Sequence, residues 1–543
     1  MKRAEACMRP AAALLLCALL FSCTRQSPPL RGHKNAWTIP GVVRIGAKEE
    51  PDSLNLMFGH TLATDQIDCL LFSFILRTDA NGNLFPDLAT EVPTLKNGGI
   101  SADGKTIVIH LRHGVRWSDG APLTAADWLF TYHAVLNPRN NTKTNYGWNV
   151  IASASAPNPY TIVLHLKRPS VQALEILTMG GDAYPPLPAH LLAKLPDINR
   201  APFNNAPISS GPFVLKEWNH ESSLVFVPNP YYFRGPPHLK EIVWKIIPDP
   251  TTLIEELRTH EIDVYPSVDS DEVRYLAGIP GIRVVTRLVA NWRHLAMNMR
   301  KAQLSDARVR AAIAEAVDWK RLLDTVYHGF GVPAVSDIFP QSWAAPNLPA
   351  YRYDPAGAKR LLAAADWRMG SDGVLHKGTL AMRLEISTTA DVAENEHAEL
   401  VIQSALRPLG IALQIRNYPP NVLFSQNGPV YGGRYDMEWS VETNGADPDD
   451  SGSWNSRFIP PNGANTSWLH DRIVDETSDE AASTFDDAKR KALYQREEAR
   501  LRQLNPAIFV YWERAYVAMN GDLRNYRPAA FIADEWNAWE WSI

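Results

Sequence analysis

The chain has 543 residues, more than one hydrophobic core normally serves, and its 45% hydrophobic and 21% charged residues are those of a globular protein with two or more folding units. That balance excludes a disordered or multi-spanning chain. A formal charge of −5 argues against nucleic acid as a partner.

In chain order, Lys2, Arg3 and Arg9 precede an apolar run over residues 11–21. The run is too short to span a bilayer stably but has the make-up of a secretory signal, so residues 1–22 are expected to be removed. They carry three positive charges against Glu5, and cleavage leaves a more acidic chain, at −7. Residues 24–36, with Pro, Ser and Gly, read as a flexible tether. Of the four cysteines, Cys7 and Cys17 leave with the signal and Cys23 stands at its end. Cys69 is then alone, which excludes an intramolecular disulfide and a Cys-ligated metal site.

A short strand is predicted over 42–47, followed by a loop at 49–53. Residues 105–111 alternate Thr106, Val108 and His110 against Ile107, Ile109 and Leu111, the period of a half-buried strand. After Trp117, Ser118-Asp119-Gly120 supplies acceptors for a tight bend and a residue free to take positive φ. Thr124 with Asp127 forms a capping-box variant, and Trp128, Tyr132, Val135 and Leu136 then recur as one apolar helix face. Residues 160–166 alternate as a strand. Beyond about Ala290 the chain becomes Ala- and Leu-rich with helical spacing at 306–326 and 355–365. A further helix at 398–409 ends at Gly410 before a strand at 411–415. A charged helix over 487–504 precedes a strand at 508–512.

Three motif mimics fail on context. Residues 99–106 (GISADGKT) match a phosphate-binding loop in letters, but a strand follows where that mechanism needs a helix N-terminus. Residues 329–334 imitate a dinucleotide loop yet follow a helix and contain Pro333. His220-Glu221 lacks the second histidine of a zinc helix, since position 224 is Leu. No G-x-S-x-G nucleophile elbow occurs, and the 15 histidines are scattered. No catalytic, metal or cofactor site is expected.

Residues 111–132, LRHGVRWSDGAPLTAADWLFTY, closely resemble the signature of the family 5 extracellular solute-binding proteins, the dipeptide, oligopeptide and nickel receptors of ABC importers. Residues 208–233, 249–264, 298–335 and 353–367 resemble further family segments in the expected order. The resemblance implies an α/β, two-lobed periplasmic binding protein type II fold with an extra subdomain in lobe I. It also implies a division of the chain. Residues 1–22 would be signal and 23–37 tether, 38–289 lobe I, 290–518 lobe II, and 519–543 a return to lobe I.

The sequence Leu20-Phe21-Ser22-Cys23 resembles a lipobox, which makes Cys23 the lipidated membrane anchor. Residues 435–449 resemble the lobe II strand and loop that border the ligand, implying Trp439, Glu442, Asn444 and Asp447 as binding residues. Trp148 and the loop 180–184 are implied on the lobe I side. Dipeptide- and oligopeptide-binding relatives carry Asp where this chain has Asn444, to pair with a peptide's α-ammonium group. Asn444 therefore points to a larger or neutral solute, such as a modified peptide or oligosaccharide, unless Glu442 supplies the charge. The implied function is capture of a peptide-like solute by a monomeric lipoprotein that delivers it to an ABC permease. An oligosaccharide or metal-chelate receptor of the same fold is one alternative, and an exported hydrolase or chaperone another.

Overall fold

One mixed sheet runs through the molecule. Its eleven strands follow the order Ala412–Ile415, Arg383–Ser387, Met437–Thr443, Ile282–Met297, Ala507–Asn520, Val264–Val268, Val42–Ala47, Glu241–Ile246, Ser223–Pro228 and Phe213–Asn219, with Gly331–Pro333 pairing beside Ala507–Asn520. The structure, a computed structural model, describes residues 35–180 and 183–543, so the signal segment and Cys23 lie outside the described residues. Among the described residues no helix is long and apolar enough to cross a membrane.

Two antiparallel strands, Ile282–Met297 and Ala507–Asn520, join the halves of the molecule. The second is 14 residues long rather than the short strand expected at 508–512. Both its ends are buried, while Glu513, Arg514 and Ala515 in the middle are partly exposed because no core covers the crossing. That polar centre reads in sequence as a strand end. At the same level Leu288 pairs with Arg514 and Trp292 with Trp512, so residues 289–291 face Glu513 alone. Such a bulge bends the strand and increases its twist where it passes between the halves.

The first half packs helix Leu62–Leu71 and strands Val42–Ala47 and Glu241–Ile246 into a core that also takes Leu523, Tyr526, Ala538 and Trp541 from the C-terminal segment. A side unit of antiparallel strands, Thr106–His110, Thr161–Leu166 and Ile151–Asn158, carries helix Ala125–Leu136. The expected bend and cap are present here. Gly120 has φ +88°, Asp119 Oδ1 accepts from Ala121 N at 2.9 Å, and Asp127 Oδ2 accepts from Thr124 N at 2.8 Å. Trp128, Tyr132 and Val135 are buried, but Leu136 is exposed, because the apolar face ends one residue before the helix does. The same signature ties its turn to the chain ahead of Gly211, through Ser118 N to Ser209 O and Ser209 N to Ser118 Oγ.

The three motif mimics are turns or strands. Gly104 at φ +67° closes a turn onto Ser101, Gly331 begins a strand, and Glu221 lies in the hairpin between Phe213–Asn219 and Ser223–Pro228.

The second half builds a separate core on each face of its sheet. Met437 and Trp439, on the odd-numbered face of Met437–Thr443, pack into a core with helices Ala307–Ala316, Trp319–Val326, Pro355–Ala364 and Ala393–Leu406, and Val441 and Thr443 on that face are exposed. The opposite face meets Trp454, Leu469, Val474 and Leu501, from the segments that include helices Arg472–Ala481 and Asp487–Leu504. This division follows from the two-residue period of a strand, and it decides what each site candidate touches.

Candidate functional site

Trp439 points into the helical core. It is 0% exposed, its ring stacks at 6.4 Å on Trp319, and its Nε1 donates to Tyr327 Oη at 3.1 Å. The expected stacking face for a solute is therefore filled by the protein itself. Trp148 is corrected in the same way: it is 0% exposed, with Trp128 and Tyr184 each 5.8 Å away between ring centroids. Of the loop 180–184, residues 181 and 182 lie outside the described residues, and Tyr184 is buried.

On the opposite face lie Glu438, Ser440, Glu442 and, just past the strand, Asn444. Glu442 stands across from Trp292 in the register, and Trp292 Nε1 donates to Asn444 Oδ1 at 2.9 Å. Asn444 Nδ2 donates in turn to the Asp337 carbonyl at 2.6 Å. Both ends of the amide are thus engaged in holding the loop. Asp447 is engaged as well, since Arg490 grips its two oxygens at 2.5 and 3.0 Å.

The loop 444–450 lies where the halves meet. Asn444 N donates to Ala290 O, Ala290 N to Ala530 O, and Ala530 N to Ala80 O, a ladder from the second half to the first with spacings of 3.0, 3.1 and 3.2 Å. A Cβ placed on Gly82 would come within 2.7 Å of the Phe531 ring, so glycine there leaves room for that ring, and Ala446 Cβ lies 3.5 Å away on the other half.

Glu442 is half-buried, has Ser453 as a hydrogen-bond partner, and is the one expected carboxylate with no ion pair among the described residues. Burial, helped by the neighbouring charges of Glu438 and Asp337, pushes it up to about 8, and burial pushes Glu438 up to about 7. His294, on the same face, is held neutral by burial at about 3 and supplies no countercharge. The arrangement leaves an acidic group that gains from the arrival of a cation.

Two groups escaped the reading of the sequence. Arg293, facing the helical core, donates to Glu513 at 2.8 Å and to Asn395 Oδ1 at 2.6 Å, tying the two crossing strands to helix Ala393–Leu406. Asp337, Asp450 and Glu498 converge behind the loop 444–450, with acceptor oxygens within 4.8 Å of one another. A signal for the second was available. Arg490, Tyr494, Glu497, Glu498 and Leu501 recur at helical spacing, and they are the buried stripe of a helix that reads simply as charged. Two surface hollows of about 460 and 580 Å³, beside Arg258 to Pro280 and beside Glu385 to Asp436, lie away from Glu442, Asn444 and Asp447.

Comparison with known proteins matches this arrangement. Residues 83–465 fit the family description "Bacterial extracellular solute-binding proteins, family 5 Middle". The oligopeptide-binding protein AppA of Bacillus subtilis is 26% identical over 541 residues, covering 97% of this chain and 96% of that protein. Its structure in complex with a nonapeptide superposes with a TM-score of 0.72 at 25% identity, over 93% of this chain and 99% of that one. NikZ from Campylobacter jejuni, in complex with Ni(L-His), gives 0.74 at 26% identity, over 93% and 100%. The fold is the two-lobed α/β type II periplasmic binding protein fold, and the chain belongs to the family 5 bacterial extracellular solute-binding proteins.

Proposed function

We propose that this protein receives a peptide or peptide-like solute bearing a cationic group, holds it between the lobes and delivers it to an ABC permease. The observation that carries the reading is Glu442, a carboxyl group with no ion pair among the described residues, beside the loop that bridges the halves, while the Asn444 amide is already engaged at both ends. Glu442 then takes the role of ammonium partner that the resemblance assigns to an aspartate at position 444. Charge on the solute favours this site over a neutral sugar, because a charge-assisted hydrogen bond is about twice as strong as a neutral one. AppA and its nonapeptide support a peptide, and the NikZ complex supports a metal chelate as the second reading.

In this reading lobe I comprises residues 38–289 and 519–543, and lobe II residues 290–518. Closure follows from a solute that contacts both lobes at once and so favours the closed state. Cys23 carries the lipid anchor, and residues 24–37 the tether.

Mass spectrometry of co-purifying molecules, followed by calorimetry with peptides whose N-termini are free or acetylated, tests the proposal. Free-amino peptides should bind at least tenfold more tightly than their acetylated forms, and Glu442→Gln should erase the difference. Equal binding of both forms by the wild type overturns the assignment to Glu442.

A further inference from the structure

Apart from the charge that Asp337 sets beside Glu442, the acidic group behind the loop 444–450 has no use in the solute reading. Asp337 is 1% exposed, Asp450 6% and Glu498 0%. Asp337 Oδ1 and both carboxylate oxygens of Asp450 and of Glu498 receive no hydrogen bond from the protein. No Lys, Arg or His among the described residues forms an ion pair with any of the three. The one anchored oxygen is Asp337 Oδ2, which accepts from Trp454 Nε1 at 2.7 Å. Glu497, the neighbour of Glu498 on the helix, is also fully buried with both oxygens unpartnered, and adds to the negative field.

Three buried carboxylates in mutual contact must either hold protons or share a cation, since an isolated buried charge costs far more than a buried polar group. Burial first, and then mutual repulsion, push Asp450 and Glu498 above the ordinary carboxylate range. Asp337 and Glu498, like Asp450 and Glu498, stand close enough to share a proton when no cation is bound. The donor set is all oxygen, which selects a hard cation over zinc, copper or nickel. Acceptors within 4.8 Å of one another can surround one hard divalent cation, and calcium, with oxygen ligands at about 2.3–2.6 Å in a flexible geometry, makes the smaller demand on their placement.

We propose that Asp337, Asp450 and Glu498 form a binding site for one calcium-type divalent cation, which staples the loop 444–450 to helix Asp487–Leu504 and to the segment that follows strand Gly331–Pro333. Asp450 ends the loop that Asn444 begins, and Asn444 Nδ2 is bonded to the backbone carbonyl of Asp337. The cation therefore closes a ring of contacts around the solute-side loop from behind. It is a structural ion, separate from any cargo.

The test uses the mature protein stripped with a chelator and then given calcium alone. Calorimetry should find one equivalent bound, and the melting temperature should rise by several degrees at millimolar calcium, because only the folded form holds the three oxygens together. Terbium used as a probe should show luminescence sensitised by the nearby tryptophans and displaced by calcium, and it should be lost in Glu498→Gln. Glu498→Gln and Asp450→Asn should fold and lose the calcium-dependent melting shift. An unchanged melting temperature together with no stoichiometric binding of calcium, magnesium or manganese by the wild type overturns the proposal and leaves the three groups holding protons. None of these readouts depends on the identity of the solute.

Discussion

Trp292 on the first crossing strand donates its indole N–H to Asn444 Oδ1 at 2.9 Å, and the same amide donates onward to the Asp337 carbonyl at 2.6 Å. Asn444 is a bridge that needs both a donor and an acceptor. Aspartate offers no donor and would set a carboxylate against a carbonyl oxygen. Asn444→Asp should therefore lower stability by about 1–3 kcal/mol, read from the midpoint of urea or thermal unfolding. A variant as stable as the wild type would show that the bridge does not hold the loop.

Glu442 makes stability and binding depend on pH in opposite senses. Its value in the folded protein, about 8, lies above the ordinary 4.5, so the ligand-free folded state binds the proton more tightly than the unfolded chain. Stability without solute should fall as pH rises from 4.5 towards 8, and Glu442→Gln should lose that part of the decline. Affinity for a cationic solute needs the ionised carboxylate and should rise up to about tenfold per pH unit below that value. Calorimetry across pH on wild type and Glu442→Gln checks this, and identical slopes for the two would rule it out.

Trp439 holds the lobe II core rather than the solute. Trp439→Ala should cost about 3–5 kcal/mol of stability, with little change in solute affinity for protein that remains folded. Any fluorescence change on binding should survive in Trp439→Phe and be reduced in Trp292→Phe, whose indole meets the loop directly.

Asp447 and Arg490 form a buried pair with side-chain exposures of 22% and 6%. Arg490→Met strands the carboxylate beside Asp449, which burial and the charge of Asp447 push above its ordinary range. A loss of about 3–5 kcal/mol in unfolding free energy is expected, larger than that of Asp447→Asn/Arg490→Met together. Equal losses from the single and the double change would argue against a coupled pair.

The anchor is tested by fractionation. Cys23→Ala should move the protein from the membrane pellet into the soluble fraction while leaving its melting temperature unchanged, since the proposed role of Cys23 is anchorage alone. Retention in the pellet after a high-salt wash would exclude lipidation at Cys23.

The local code of this chain was legible because its signals are short in range. The Ser118–Gly120 bend, the Thr124 and Asp127 cap and the Gly410 helix stop each depend on a few adjacent residues, and each stands in the structure where the sequence placed it. Ordered family segments carried the fold class for the same reason. The site was less legible, although part of it could have been read. Trp439 and Glu442 differ in parity on one strand, so they cannot face the same side, and the period of two says so without coordinates. What parity cannot say is which side is core. Only the tertiary structure decided that helices Ala307–Ala316 to Ala393–Leu406 cover Met437 and Trp439 on the odd face, that Arg490 reaches Asp447, and that Asp337, Asp450 and Glu498 meet. Those contacts join residues tens to more than a hundred positions apart, and the burial that shifts their charges exists only once the chain has closed around them.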